Sequence, residues 1–228
     1  MSNTLILLHG ALGSSAQMAT LASRLDGQSV FTLNFPGHGG LPSNGPFSME
    51  MFGEALMTFL EEKNIDTADL FGYSMGGYVA LWLAWKHPER VGQVITLGTK
   101  LDWSPETAGG MRRMFDAEKI ALKAPALAEH LANAHAPLDW KILCRQTADF
   151  LTDLGDGKGI PESAFSEIKR PVHIGRGDAD QVVSEEESRK VAQAIPNGSL
   201  HILSGVPHGI EQADVDEVTR YIGSVRSA

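Results

Sequence analysis

The stretch ADLFGYSMGGYVALWLAWKH, residues 68–87, decides the fold of this chain. Its first six residues, Ala68–Tyr73, are a short apolar run of the kind that forms a buried strand. From Met75 to His87 the sequence is apolar almost all round, which is typical of a deeply buried helix, and Pro88 ends it. A strand that passes directly into a buried helix indicates a parallel sheet with helices packed on its faces.

Apolar runs and helical patterns alternate on both sides of this stretch. The runs that predict further strands are Thr4–Leu8, Ser29–Phe35, Val91–Gly98, Arg170–Gly175 and Ser199–Ser204. Helical patterns lie between them, at Ser15–Leu25, from a capping Ser48 to about Lys63, at Ser184–Ile195 and near Ala213–Val225. We therefore predict a single α/β domain over residues 1–228, with a doubly wound, mostly parallel sheet of about six strands and helices on both faces.

The strand rhythm stops between residues 99 and 167. Helical patterns fill this stretch at Pro105–Leu122, Pro125–His135 and Pro137–Leu154, and a glycine-rich loop at 155–159 closes it. An insertion of roughly 65 residues is too long for an ordinary crossover. The alternative is a set of extra packing helices. We expect residues 99–167 to form a helical cap over the carboxyl edge of the sheet, where ligands bind in such folds.

Composition limits the class of function. Apolar residues make up 43% of the 228 residues and charged residues 21%, as in a soluble globular protein, and the net charge of −9 argues against nucleic acid or an anionic membrane as partner. The longest apolar run, Tyr78–Trp85, is far below the roughly 20 residues that span a bilayer. The start of the sequence has no basic region and only the short apolar run Leu5–Leu8, so we predict no signal peptide and a cytoplasmic protein.

The cysteine count and the histidine spacing give little indication of metal binding or of a reactive thiol. The single cysteine, Cys144, excludes an internal disulfide and a multi-cysteine cluster, and we interpret it as a small buried hydrophobic residue. His130 and His135 are five residues apart, which is not the spacing of a metal-binding pair on a helix. We predict no metal and no cofactor.

Ser74 is the candidate nucleophile. It lies in Gly72-Tyr73-Ser74-Met75-Gly76-Gly77, between the predicted strand and the predicted helix. A serine on such a sharp turn is held in a strained backbone conformation that lifts its hydroxyl out of the sheet, and Gly72 and Gly76 supply the small residues that the turn requires. The alternative is a tight turn with a bystander serine. Because a hydroxyl is a poor nucleophile at neutral pH, it needs a base and an acid that orients the base.

We expect the acid and the base in the loops that follow later strands. Asp180 and Asp178 compete in the loop after the fifth strand; we favour Asp180, which lies further into the loop, and Asp102 is a distant third choice. His208 follows the sixth strand directly and is flanked by glycine and proline, so it lies in a loop. The order Ser74, Asp180, His208 is the one expected on a doubly wound hydrolase sheet.

Acyl transfer also needs two backbone N–H donors and a pocket. One donor should be Met75, the residue after the nucleophile, and the other Ala11, in the glycine-bearing loop after the first strand. Apolar residues of the cap stretch are candidate pocket walls, although simple packing is the commoner role for such residues: Trp103, Met111, Met114, Phe115 and Trp140.

Taken together, these motifs resemble those of the α/β-hydrolase superfamily. The resemblance rests on His9-Gly10 with Gly13, on residues 35–39 (FPGHG), on residues 72–77 (GYSMGG), on residues 177–180 (GDAD) with Val183, and on residues 205–208 (GVPH). It implies Ser74 as nucleophile, Asp180 as acid, His208 as base, and the amides of Ala11 and Met75 as the oxyanion hole. Members often have Asp where Asn34 stands, and we expect a trimmed sheet without the strands that precede the first one in larger members.

The resemblance implies three functions. The leading one is a serine hydrolase that cleaves a small ester or thioester through an acyl-enzyme, with a small acyl compound as its partner. The second keeps the triad but cleaves a carbon–carbon bond or acts as a lyase like the menaquinone synthase; such anionic substrates would require an arginine, and Arg112, Arg113 and Arg145 are the candidates. The third is a non-catalytic receptor or signalling module.

Overall fold

One sheet of six parallel strands forms the centre of the computed structural model, which describes residues 4–25 and 29–227. In chain order the strands are β1 (Thr4–Leu8), β2 (Ser29–Thr32), β3 (Ala68–Tyr73), β4 (Val91–Leu97), β5 (Val172–Gly177) and β6 (Gly198–Leu203). They lie in the order β2-β1-β3-β4-β5-β6, and every neighbouring pair is parallel. The predicted α/β fold class is confirmed.

The helices lie on both faces of the sheet. They are α1 (Ala19–Arg24), α2 (Met49–Glu62), α3 (Met75–Lys86), α4 (Pro105–Arg112), α5 (Ala117–Lys123), α6 (Pro125–His135), α7 (Trp140–Asp153), α8 (Glu185–Ala194) and α9 (Val215–Arg226). Buried residues of α1 and α9 share one apolar cluster, and those of α2, α3 and α8 belong to another. This is the doubly wound arrangement that alternating strands and helices predict.

The side chains of β1 explain why both faces are covered. Leu5 and Leu7 belong to the cluster with α1 and α9, whereas Ile6 and Leu8 belong to the cluster with α2 and α3, and all four are fully buried. Successive residues of a strand point to opposite faces, so a strand with buried apolar residues on both faces needs helices on both sides.

The predicted cap stretch contains α4 to α7, between β4 and β5. Phe150 and Leu151 of α7 join the main core, while Ile120, Leu131 and Cys144 form a small cluster of their own. The stretch is therefore helical as expected, and its division from the rest at residues 99–167 stays a prediction.

Several elements differ from the sequence prediction. The predicted helix Pro105–Leu122 is divided into α4 and α5 by a short turn at Arg113–Phe115, and the predicted loop at 155–159 lies mostly in one turn of π-helix, Leu154–Lys158. Strand β2 ends at Thr32 and not at Phe35, because it pairs only with β1 and the main chain at Phe35 instead donates a hydrogen bond to His9. Helix α7 begins at Trp140, where the side chain of Asp139 caps it by accepting from the N–H of Lys141. Strand β5 lies two residues later than predicted.

The strand order creates a crevice at the carboxyl edge of the sheet. The chain passes from β1 outward to β2 and then returns to the other side of β1 as β3. Ligands of open α/β sheets bind at this point of reversal, because the loops there diverge.

Among the described residues, no helix is both long and apolar enough to cross a membrane.

Candidate active site

Ser74 lies on the turn between β3 and α3 with φ +50° and ψ −116°, a conformation that L residues rarely adopt. Its N–H donates to the carbonyl oxygen of Leu97 across 2.9 Å, which holds the turn against β4. A Cβ atom at Gly72 would collide with the backbone of Gly77, and one at Gly76 would lie 2.5 Å from the carbonyl oxygen of Leu8. The turn therefore has room only for glycine at both positions.

Asp180 and His208 form a hydrogen-bonded pair. Oδ2 of Asp180 lies 2.9 Å from Nδ1 of His208, and Asp180 is 3% exposed. The other oxygen, Oδ1, accepts from the N–H groups of Val182 and Val183, at 2.7 and 2.9 Å. Since the carboxylate can only accept, Nδ1 of His208 carries the proton and Nε2 is the basic nitrogen.

The surroundings of Asp180 keep it ionised. Burial by itself would raise the pKa of this carboxyl, but the hydrogen bonds from His208, Val183 and Val182 together outweigh it and lower the pKa below the ordinary value of 3.8. The two competing aspartates, Asp178 and Asp102, are exposed and not buried. Asp178 accepts from the N–H of Gly205 at 2.6 Å.

Ser74 and His208 line one cavity of about 200 Å³ at the carboxyl edge of the sheet. The ring of Tyr73 packs on the imidazole of His208, with the centroids 5.7 Å apart. Gly98 has φ +60°, and a Cβ atom there would lie 3.2 Å from Oδ2 of Asp180 and 3.3 Å from Nδ1 of His208. Loops that follow β3, β4, β5 and β6 thus meet around the pair.

Ala11 and Met75 line the same cavity. Met75 is the first residue of α3, so its N–H has no partner within the helix. Ala11 is in the loop after β1, and its N–H makes no hydrogen bond within the described part of the chain. Both donors are available to a negatively charged oxygen near Ser74, where the N-terminus of α3 also favours negative charge.

Hydrogen bonds on either side of Ala11 determine the direction of its N–H. The carbonyl oxygen of Gly10 faces Nδ1 of His9 at 2.8 Å and accepts from the N–H of Gly13 at 3.1 Å. The N–H of Gly10 donates to Oε1 of Gln17 at 3.0 Å. Because the C=O and N–H of a trans peptide point in opposite directions, anchoring the carbonyl of Gly10 turns the N–H of Ala11 the other way.

Four of the five predicted wall residues line the cavity: Trp103, Met111, Met114 and Phe115. Trp140, the fifth, does not. It lies at the start of α7, where it packs on the small cluster of Ile120, Leu131 and Cys144, so helix packing is its role. Burial raises the pKa of the Cys144 thiol to about 11, so it is not a nucleophile at neutral pH.

One face of α7 lines the cavity and was not predicted from the sequence. Thr147, Phe150, Leu151 and Leu154 line the cavity, and their spacing of i, i+3, i+4 and i+7 is that of a single helix face. The same periodicity is present in the sequence and could have identified them. Lys100 was also missed, although it follows β4 as the other site residues follow their strands.

Lys100, at the wall of the cavity, forms an ion pair with Glu187. Nζ of Lys100 lies 2.5 Å from Oε2 of Glu187, a buried residue of α8 that also accepts from the N–H of Leu101 and caps its own helix through Ser184. The three candidate arginines, Arg112, Arg113 and Arg145, are exposed and are not among the lining residues. The described residues therefore place no uncompensated cation at the wall of the cavity.

Metal binding finds no support in the described residues, which contain no group of three or more His, Cys, Asp or Glu side chains placed to hold an ion. His135, one of the two histidines of the predicted cap, is buried and hydrogen-bonds to the backbone of Leu12 and Gly39. Its role is in positioning loops.

The sequence and the fold of the chain are similar to those of known proteins. A family model described as the alpha/beta hydrolase fold matches residues 3–148. A pimeloyl-[acyl-carrier protein] methyl ester esterase of Aromatoleum aromaticum is 41% identical over 96 residues, 42% of this chain and 36% of the esterase, so the match spans about a third of that relative's length. A 2-hydroxymuconate semialdehyde hydrolase of Pseudomonas putida is 23% identical over 95% of this chain and 84% of its own.

Among solved structures, NosK from Streptomyces actuosus superposes with a TM-score of 0.84 at 19% identity, over 97% of this chain and 96% of that one. At this identity the likeness concerns the fold alone.

Proposed function

This chain belongs to the alpha/beta hydrolase fold family, and from that premise we propose that it is a serine hydrolase that cleaves a small, neutral ester or thioester through an acyl-enzyme. The observation that carries the proposal is the 2.9 Å contact between Asp180 and His208, in the same cavity as a serine on a strained turn. Ordinary packing does not require this combination of a buried carboxylate, an oriented imidazole and a strained serine.

In the proposed reaction Oγ of Ser74 attacks the carbonyl carbon of the substrate, and Nε2 of His208 takes the hydroxyl proton. The carboxylate of Asp180 holds the imidazole in the required tautomer and stabilises the imidazolium. The tetrahedral oxygen accepts hydrogen bonds from the N–H groups of Ala11 and Met75. His208 then gives its proton to the leaving alcohol or thiol, and a water molecule, deprotonated by His208, hydrolyses the acyl-enzyme.

The lining of the cavity supports a neutral substrate. Its walls are mainly apolar, and Lys100, which lines it, is paired with Glu187. A carboxylate bound there would lose its hydration without gaining a free cation, which is unfavourable. The partial similarity to a methyl ester esterase agrees with this preference.

A second candidate is hydrolysis of a carbon–carbon bond by the same triad. It is favoured by the similarity to the 2-hydroxymuconate semialdehyde hydrolase over nearly the whole chain. The exposed positions of Arg112, Arg113 and Arg145 weigh against it, because an anionic substrate would require a cation in the cavity. Turnover of a vinylogous diketone acid in preference to p-nitrophenyl esters would favour this candidate over the ester hydrolase.

Covalent labelling tests the proposal. A fluorophosphonate probe should modify Ser74 in the folded protein, as read by peptide mass spectrometry, and the purified protein should hydrolyse p-nitrophenyl butyrate. Ser74→Ala should lose both properties and keep its circular dichroism spectrum. A folded wild-type protein that neither reacts with the probe nor hydrolyses any ester would contradict the proposal and favour a non-catalytic receptor.

A further inference from the structure

Two buried polar groups among the lining residues of the cavity have no hydrogen-bond partner within the described part of the chain. They are the hydroxyl of Thr147, on α7, and the indole N–H of Trp103, in the segment between β4 and α4. Thr147 is 1% exposed. Buried polar groups in folded proteins are almost always paired, so each exception calls for a physical reason.

Thr152, a second threonine on the same helix, makes a hydrogen bond of a kind that Thr147 does not make. The hydroxyl of Thr152 donates to the carbonyl oxygen of Ala148, four residues earlier, at 3.1 Å. This bond to the preceding turn is the usual one for a threonine within a helix. The hydroxyl of Thr147 has the same option and makes no such bond. Its neighbours along the helix face, Phe150, Leu151 and Leu154, are apolar lining residues of the cavity.

We propose that the acyl group of the substrate carries a second carbonyl oxygen, away from the scissile bond, which accepts hydrogen bonds from Thr147 and Trp103. This inference rests on the proposed ester hydrolysis and specifies its substrate class. An indole N–H can only donate, so a ligand group shared by the two residues must be an acceptor. The paired state of Lys100 indicates a neutral ketone or ester carbonyl in preference to a carboxylate.

The rest of the cavity is consistent with an acyl chain that is apolar between its two oxygens. Tyr78 lies beside Trp103, with ring centroids 6.2 Å apart, and its hydroxyl accepts from the N–H of Ile160 at 2.9 Å. The phenol of Tyr78 therefore already has a partner, unlike the groups of Thr147 and Trp103. A site with unpaired donors discriminates strongly against a substrate that lacks the matching acceptor, because those donors then stay unpaired.

The test compares two series of p-nitrophenyl esters of equal chain length. One series has plain acyl chains, and in the other a ketone is moved one carbon at a time along the chain. We expect one ketone position to raise kcat/KM about tenfold over the plain ester of the same length, the effect of two neutral hydrogen bonds. Thr147→Val should reduce this ratio to about threefold or less, Thr147→Ser should keep it, and Trp103→Phe should lower it.

Thr152→Val is the matched control, because it removes a hydroxyl from the same helix that already has a partner, and it should leave the ratio unchanged. Thermal unfolding of Thr147→Val should show no loss of stability, since its hydroxyl forms no bond to lose. A ratio near one at every ketone position, or a ratio that Thr147→Val leaves unaltered, would overturn the inference while ester hydrolysis stands. Absence of hydrolysis in both series would overturn the proposed function together with it.

Discussion

The imidazole of His135, on α6, donates a hydrogen bond from Nε2 to the carbonyl oxygen of Leu12 across 3.0 Å. Its Nδ1 accepts from the N–H of Gly39 at 2.9 Å, so the ring is neutral and its tautomer is determined. Leu12 follows Ala11 directly and has φ +56°, a conformation that its surroundings must maintain. A helix of the predicted cap thus supports the loop that carries one proposed oxyanion donor.

Removal of this support should slow catalysis. We expect His135→Ala to lower kcat about tenfold with little change in KM, because a misdirected N–H of Ala11 weakens binding of the transition state more than of the substrate. His135→Gln, whose amide N–H can reach the same carbonyl, should recover part of the loss. His130→Ala, an exposed position on the same helix, is the control. Equal rates for His135→Ala and the control would contradict this account.

The two aspartates after β5 should separate cleanly by function. Asp180→Asn should lower kcat about 10⁴-fold, since the amide can present a donor to His208 and so stabilise the wrong tautomer. Asp178→Asn should keep the rate and cost about 1 kcal/mol of stability, because it weakens only the bond to the N–H of Gly205. Steady-state kinetics and urea unfolding measure the two effects. A larger loss of rate in Asp178→Asn would reverse the assignment.

Stability should fall at mildly acidic pH. Burial lowers the pKa of His9 from 6.5 to about 4, and burial also lowers the pKa of His38 and of His135. Between pH 6.5 and pH 4 the unfolded chain therefore binds more protons at these histidines than the folded chain does, so acid favours unfolding.

For His9 alone the loss from pH 7 to pH 5 is about 2 kcal/mol. Urea unfolding at a series of pH values should show this decline, which is complete only below the pKa of the folded state. His135→Gln removes one of these groups and should make the decline shallower. A free energy of unfolding that is flat from pH 7 to pH 5 would show that these histidines are not held neutral.

The ion pair at the cavity wall should control the charge that the cavity accepts. Glu187→Gln leaves Lys100 without its carboxylate partner, and we expect a loss of about 3 kcal/mol in stability, because the pair is largely buried. The uncompensated lysine should also raise kcat/KM for esters whose acyl chain ends in a carboxylate, relative to neutral esters. Lys190→Ala, which removes an exposed lysine paired with Glu162, is the control. If Glu187→Gln leaves the ratio of kcat/KM for acidic and neutral esters unchanged, Lys100 does not control the charge of the substrate that the cavity accepts.

Local patterns were sufficient for most of the fold. The alternation of apolar runs with helical periodicity predicted the six strands and their helices, because strands that helices cover on both faces are mainly apolar. The end of β2 and the start of α7 were placed wrongly. Each depends on a partner outside its own pattern: the single neighbour β1 for one strand end, and the capping side chain of Asp139 for the helix.

The sequence by itself determined the order of the strands along the chain and the residue types at the carboxyl edge: a serine between glycines, an aspartate and a histidine in the loops of two later strands. Only the tertiary structure decided which of two aspartates meets His208, that Trp140 packs among helices while Thr147 lines the cavity, and that Lys100 is neutralised by Glu187. The physical reason is range. Backbone propensity and burial act over a few neighbouring residues, whereas hydrogen bonds and ion pairs depend on distances between side chains that the chain brings together only when it is folded.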